Sequence, residues 1–224
     1  MPVPDGDERT YELAGKYTSG DECLPARVTV GGFLGIMESP GFDPAKTAFF
    51  MPTAGGPCRF GQYAPFMRHI LDEMGHHDLP LVSPTSADGY SQIGPAAGPI
   101  QSLGWMAIVG SDALRKMLHI HRPLETEPGA ADRAYKKSLG VLCGALERGK
   151  GSGLRAARDI AGAMEEARGI FRAVPVDPSK ETMLIGIVGE IFCRLNTFSN
   201  ESLIRKLEAF GATAWLSDIS EWVW

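Results

Sequence analysis

The stretch AFFMPTAGGPCRFGQYAPFMRHILDEMGHHDLPLVSP, residues 48–84, decides the fold. Its apolar beginning at residues 48–52 predicts a short buried strand, which a loop rich in Gly and Pro ends. Residues 59–74 carry apolar side chains at helical spacing, and Gly75 is typical of the position just past a helix. Residues 79–83 predict a second strand. A strand, a helix and a strand in this order predict a right-handed βαβ unit with parallel strands.

The same alternation of strand and helix returns near the end of the chain. A strand at residues 183–190, a helix at 200–210 and a strand at 213–217 predict a second βαβ unit. The predicted fold class is therefore α/β, with two Rossmann- or flavodoxin-like parallel-sheet units joined by a helical segment and the second unit incomplete. The predicted helices of the joining segment are residues 100–121, 132–147 and 154–171.

These elements divide the chain into three parts. A polar N-terminal arm covers residues 1–20, a first α/β domain with a helical insertion covers residues 21–175, and the start of a second α/β domain covers residues 176–224. Because one βαβ unit cannot cover both faces of its sheet, we expect the second domain to be truncated. Trp222 and Trp224 agree with this expectation, since no residue follows to bury them.

The composition of the chain excludes several classes of function. Of the 224 residues, 44% are hydrophobic and 22% are charged, which is typical of a globular protein. The formal net charge of −5 provides no basic surface for nucleic acid. No apolar run reaches the roughly 18–20 residues that cross a bilayer, and the N-terminus lacks the apolar stretch of a secretory signal. We therefore expect a cytoplasmic protein without nucleic-acid or membrane partners.

Three of the four cysteines precede predicted helices. Cys58 follows the first strand and begins the helix after it, and Cys193 has the same position between strand and helix in the second unit. Cys23 precedes a helix predicted at residues 24–37, where Pro25 suits the first turn. A helix N-terminus favours thiolate over thiol and stabilises the negative charge of a metal–thiolate centre. These three positions therefore predict metal ligands.

The residues around these positions leave alternatives open. Cys58 also fits a Gly-Pro turn that contains a cysteine by chance. Arg59 and Arg194, each next to a proposed ligand, either neutralise charge at the metal or lie at the surface. Glu190 is a candidate for a catalytic proton donor, although a helix cap is the commoner role for such a residue, and no other catalytic residue is identified.

Cys143 has a different environment, because apolar residues recur around it at helical spacing: Leu139, Leu142 and Leu146. This pattern predicts that its thiol is buried in the apolar stripe of a helix. Three remaining thiolates suit an iron–sulfur cluster better than structural zinc, which normally takes four ligands at close, paired spacing. Three protein ligands leave one iron open to water or substrate, which is typical of a catalytic site.

Several stretches of the chain resemble a known family. Residues 53–63, TAGGPCRFGQY, and residues 186–201, GIVGEIFCRLNTFSNE, are similar to the dehydratase-type region of large CoA-substrate-specific enzyme activase-associated proteins. The likeness includes ILDEMG at residues 70–75 and Ser83-Pro84, and it runs from about Tyr17 to Trp224. The family is the 2-hydroxyacyl-CoA dehydratase and benzoyl-CoA reductase type, which includes the double-cubane-cluster proteins.

The resemblance implies α/β domains that hold a low-potential [4Fe–4S] cluster, or a fused double cubane, on cysteine ligands. The positions that match the family's cluster cysteines are Cys23, Cys58 and Cys193, and Cys143 matches none. It also implies a separate or fused ATP-hydrolysing activase that delivers electrons, a CoA thioester substrate, an anaerobic cytoplasm and a homo- or heterodimer. The expected function is an iron–sulfur redox module for radical reduction or dehydration.

The chain departs from this family in length. It is much shorter than a complete catalytic subunit and has no recognisable CoA pocket, so the substrate and the retention of a cluster stay open, and we expect this fragment alone to be inactive. One alternative is a non-enzymatic interaction or regulatory segment of a large activase-fused protein. The other is a zinc or thiol site without redox chemistry.

Overall fold

The computed structural model describes residue 3, residues 5–148 and residues 153–223, with only the backbone described for the last two. The fold is mixed α/β, 59% helical, with two small parallel two-stranded sheets. Within the described part of the chain, no helix is long and apolar enough to cross a membrane. The expectation that nothing buries Trp222 and Trp224 concerns side chains that lie outside the described part of the chain.

The chain divides into two compact units. Unit 1 contains the described residues up to 97 together with residues 195–200, and unit 2 contains residues 98–194 together with the described residues from 201 onward. Each unit has its own hydrophobic core and one of the two parallel strand pairs.

Two helices, α1 (Glu8–Ala14) and α2 (Leu24–Met37), pack together in unit 1. A capping box starts α1, because the Thr10 amide donates to Asp7 at 2.9 Å and the Asp7 amide donates to the Thr10 hydroxyl at 3.2 Å. At Gly31 of α2, a Cβ would lie 2.0 Å from the Thr10 carbonyl oxygen. Gly31 weakens α2 as an isolated helix, but it lets α1 approach closely. The sequence predicted α2 but only an irregular polar arm where α1 lies.

The predicted parallel strand pair is present in unit 1. β1 (Phe49–Phe50) pairs in parallel with β2 (Leu81–Val82). Between them, a 3-10 turn at Arg59–Gln62 continues into α3 (Tyr63–Glu73). The helices and β1 share one core, whose best-buried members include Leu13, Phe33, Phe49, Met67, Ile70 and Leu71. The loop that contains Cys58 follows the carboxyl end of β1, where open α/β sheets bind ligands.

Unit 2 combines three long helices with the second strand pair. The long helices are α4 (Ala97–His121), α5 (Ala130–Arg148) and α6 (Leu154–Arg172). They are followed by β3 (Met183–Ile187), α7 (Ile191–Leu195), α8 (Leu203–Ala209), β4 (Ala212–Leu216) and α9 (Ile219–Val223). β3 and β4 run parallel, with Met183 opposite Ala212 and Ile187 opposite Leu216. The predicted strands, and all the predicted helices between residues 100 and 210, are confirmed, except that the strand predicted at residues 183–190 ends at Ile187 and that α7 was not predicted.

The prediction that Cys143 is buried is wrong, because this residue is exposed on α5. The buried side of α5 consists mainly of small residues: Ala131, Ala134, Ser138, Leu142 and Ala145. They share a core with alanines of α6. Leu142 belongs to this buried stripe, and Leu139 and Leu146 pack against the same core, so the leucines around Cys143 do face inward while Cys143 itself lies on the exposed side of α5.

Ion pairs join α5, α8 and the turn that follows α4 near a buried histidine in unit 2. Arg122 donates to Glu208 at 2.6 and 2.8 Å and to Asp132 at 3.2 Å, and Arg205 donates to Asp132 at 2.8 Å. His119 is 5% exposed. Burial, followed by the positive charge of Arg122 and two further arginines, lowers the pKa of His119 from 6.5 to about 4.

We expect the unfolding free energy to fall as the pH drops below 6.5, because the unfolded chain takes up a proton that folded His119 does not bind until about pH 4. At roughly 1.4 kcal/mol per pH unit, the loss at about pH 5 is about 2 kcal/mol. Urea unfolding near pH 7.5 and pH 5 measures it. The variant His119→Gln has no imidazole and should lose about 2 kcal/mol less on acidification; an equal loss in both proteins would contradict this role for His119.

Candidate metal centre

A cavity of about 580 Å³ opens beside Cys23 in unit 1. The starts of α2 and of the helical segment at residues 59–73 contribute most of its lining. Its apolar part comes from Ala26, Tyr63 and Phe66. Its polar part consists of Asp21, Glu22, Arg59, Gln62 and His69. The cavity therefore combines an apolar wall with one thiol and several charged or polar groups.

Cys23 lies half-buried at the N-terminus of α2. Its backbone has φ −67° and ψ 148°, which is the extended conformation of an N-cap, and its sulfur caps no helix amide. The Sγ atom instead shares a hydrogen bond with the Tyr63 hydroxyl, at an S···O distance of 2.7 Å. The thiol is therefore held next to the positive end of a 14-residue helix and against a phenol that can donate to it.

Cys58 is exposed and directly precedes the 3-10 turn that leads into α3. The next residue, Arg59, lines the cavity and donates from Nη1 to the Asp21 carbonyl at 2.6 Å. Asp21 lies two residues before Cys23, so this contact ties the segment of one cysteine to the segment of the other. Unit 1 thus brings Cys23 and Cys58 onto two neighbouring stretches of chain, each at a helix entrance, as the sequence predicted.

The carboxylate of Glu22 is directed to its own loop. It accepts from the Ser19 amide at 3.2 Å and from the Gly20 amide at 3.0 Å. Hydrogen bonds from its own backbone amide and from that of Ser19 lower the pKa of Glu22. Glu22 is therefore an anion that stabilises the loop before Cys23. Among the residues that line the cavity, Arg59 supplies the positive guanidinium.

Cys193 lies in unit 2, inside the short helix α7 and not before a long helix as predicted. Its amide donates to Glu190 at 2.8 Å, so Glu190 caps α7, which was the commoner of its two expected roles. Although burial opposes ionisation, the amides of Cys193 and Phe192 lower the pKa of Glu190. Burial, and then the Glu190 carboxylate, raises the pKa of the Cys193 thiol. The stabilisation of thiolate that a helix N-terminus was expected to give Cys193 is therefore opposed by burial and by a neighbouring negative charge.

Arg194 is buried and donates from Nη1 to the Gly189 carbonyl at 3.0 Å. It therefore stabilises the turn between β3 and α7. Within residues 5–148 and 153–223, no three or more His, Cys, Asp or Glu side chains are grouped so that they could hold a metal ion. The structure describes the two unit 1 cysteines on joined segments, with Cys193 in unit 2 and Cys143 exposed on α5.

Tyr63 is the residue of this region that sequence reasoning missed. It appeared only as the last letter of TAGGPCRFGQY, with no role attached. Its contact with Cys23 spans 40 positions and depends on how α2 packs against α3, which local spacing does not reveal. The available signal was an aromatic residue with a polar tip five positions after a proposed ligand, a type that finds a hydrogen-bond partner when buried.

The comparisons with known proteins give no family. No protein-family model, no curated protein and no solved structure matches this chain.

Proposed function

We propose that this chain is an iron–sulfur redox module of the 2-hydroxyacyl-CoA dehydratase and benzoyl-CoA reductase type, with Cys23 and Cys58 as cluster ligands. In this role it receives low-potential electrons from an ATP-dependent activase for radical reduction or dehydration of a CoA thioester. The observation that carries the proposal is the contact of Arg59 with Asp21, which ties the helix entrance of Cys58 to that of Cys23, whose thiol lines a cavity.

The donor groups of unit 1 fit such a cluster in chemistry and in charge. Thiolates are the usual protein ligands of [4Fe–4S] clusters and of fused double cubanes. The N-terminus of α2 and the guanidinium of Arg59 both place positive charge where thiolate ligands and cluster sulfides are negative. The arrangement needs no His or carboxylate ligand. The two cysteines of unit 1 supply part of the thiolate ligands that a cluster requires.

Cys193 stays our third ligand, on the strength of the resemblance alone. Its raised pKa favours the neutral thiol, so metal binding there has to displace a proton against the effect of Glu190. Arg194 and Arg59 each donate to a backbone carbonyl, but Arg194 is buried and Arg59 is exposed, so Arg194 has less freedom to neutralise cluster charge.

Individual side chains of unit 1 have distinct parts in this proposal. A bound cluster supplies one-electron chemistry at low potential. Tyr63 orients the Cys23 sulfur and donates a hydrogen bond to it once that sulfur is deprotonated. Arg59 fixes the loop before Cys23 and adds positive charge. Ala26 and Phe66 form apolar walls that keep water from one side of the site.

The finer structural and cellular expectations belong to the same proposal. We propose that each parallel strand pair is part of a Rossmann- or flavodoxin-like unit, which is the scaffold that the resemblance implies. We also propose a cytoplasmic, anaerobic setting, with an activase as the electron-donating partner. A parallel pair with its ligand cysteine beyond the carboxyl end of β1 supports this scaffold.

Anaerobic purification followed by metal and acid-labile sulfide analysis tests the proposed function. We expect brown protein that contains iron and sulfide in about equal amounts, before or after reconstitution with ferrous iron and sulfide. Zinc without sulfide would replace the proposal with a zinc–thiolate site. A colourless, monodisperse protein that takes up no metal on reconstitution would replace it with an interaction or regulatory segment.

A further inference from the structure

The outer edge of β3 in unit 2 is unpaired. In the described ranges, β3 has β4 on one side and no strand on the other. The Ser217 amide donates to the Ile187 carbonyl at 3.0 Å, so the backbone groups of Ile187 face β4. Because these groups alternate in direction along a strand, those of Leu184, Gly186 and Val188 face away from β4.

This edge is also apolar and exposed. Leu184 and Val188 are 64% and 81% exposed, and a Cβ added at Gly186 would meet nothing within 4 Å. Residues 182–189, TMLIGIVG, contain no charge and no proline. Edge strands that must stay unpaired usually carry Lys, Pro or a bulge. The β3 edge has none of these along its length, so another strand can pair with it.

We propose that the β3 edge pairs with the same edge of a second copy of this chain, antiparallel about a two-fold axis at Gly186. Residues 184–188, LIGIV, have the same residue character in both directions from Gly186. In this register Leu184 lies opposite Val188 of the other copy, and Ile185 lies opposite Ile187 of the other copy. A two-fold interface requires such self-complementarity, which a second copy of this edge supplies.

Pairing in this register joins the β3–β4 sheets of the two copies into one sheet of four strands. The outward amides and carbonyls of each edge gain hydrogen bonds, and each copy covers Leu184 and Val188 in cross-strand contacts. One strand alone covers less than the roughly 800 Å² per partner of a standard stable interface. The dimer is therefore reversible, and its population rises with protein concentration.

Sedimentation of the full chain over a concentration series tests the proposal, with a reversible monomer–dimer equilibrium as the expected result. The double variant Leu184→Lys, Val188→Lys sets like charges opposite each other and should raise the dimer dissociation constant about tenfold or more. The double variant Leu184→Lys, Val188→Glu sets opposite charges in the same pairs and should restore most of the dimer. Leu154→Lys changes an exposed leucine of α6, 78% exposed, and should leave the equilibrium unchanged.

Two outcomes would overturn the proposal: a chain that stays monomeric at every concentration, or a dimer that the like-charge variant leaves intact. If Leu154→Lys weakened the dimer as much as the like-charge variant, the proposal would also be overturned, because any added surface lysine would then have the same effect. Hydrogen exchange of the unaltered chain gives a second readout if a variant fails to fold. The amides of Leu184, Gly186 and Val188 should exchange more slowly as concentration rises, and exchange independent of concentration would contradict the pairing.

Discussion

The variant Cys58→Ser is expected to lose the iron–sulfur absorbance after anaerobic reconstitution while it keeps the helix content of the unaltered chain. Cys58 is exposed and caps a short 3-10 turn without a side-chain hydrogen bond. Its replacement therefore removes little packing, and we expect a stability change within about 0.5 kcal/mol. A thiolate ligand, in contrast, has no equivalent in a hydroxyl group, so iron and sulfide per chain should fall to near zero.

Cys143→Ser is the matched control for this variant. It makes the same chemical change at another exposed cysteine, on α5 of unit 2. Iron, sulfide and visible absorbance should match those of the unaltered chain. If both variants lose the same amount of iron, the loss reflects general thiol chemistry and Cys58 is not a ligand.

The variant Gly31→Ala is expected to destabilise unit 1 by about 2–3 kcal/mol, although alanine favours a helix by about 1 kcal/mol over glycine. The new Cβ would lie 2.0 Å from the Thr10 carbonyl oxygen, which is backbone and cannot rotate away. α1 must then move off α2, and the buried contacts of Leu13 with the core are lost. Urea unfolding of the full chain, followed by circular dichroism, measures the change.

Gly35→Ala provides the control in the same helix. A Cβ at Gly35 would lie 3.8 Å from the Leu13 side chain, an ordinary van der Waals distance. Alanine there should leave stability unchanged or raise it by up to about 1 kcal/mol. If Gly31→Ala proved as stable as Gly35→Ala, the close packing of α1 on α2 would be wrong.

Local patterns were sufficient for most of the secondary structure. The helix predicted at residues 24–37, with Pro25 in its first turn, is α2 at its observed bounds, Leu24–Met37, despite its glycines. The order of a short apolar strand, a helix and a second strand predicted that β1 and β2 are parallel. The same signals placed Cys23 and Cys58 at helix entrances, because the residues that end a strand or begin a helix lie next to them in sequence.

Contacts between distant residues account for what the sequence did not predict. Cys143 has leucines at helical spacing, but the stripe that packs against α6 runs through Ala134, Ser138, Leu142 and Ala145 and leaves Cys143 exposed. The contact between Tyr63 and Cys23 depends on the packing of two helices. At Glu190 the cap was among the expected roles, but strand and helix signals alone did not show the additional helix α7, or that burial and then the Glu190 carboxylate raise the pKa of the Cys193 thiol.

Alkylation of the iron-loaded chain, read by peptide mass spectrometry, tests the central claim most directly. Cys58 and Cys143 are both exposed, so accessibility alone predicts that a thiol reagent modifies them equally. If Cys58 binds iron, it is protected together with Cys23 while Cys143 reacts, and chelation of the iron removes the protection. Modification of Cys58 as fast as Cys143, in protein that still holds its iron and sulfide, would contradict the proposed centre.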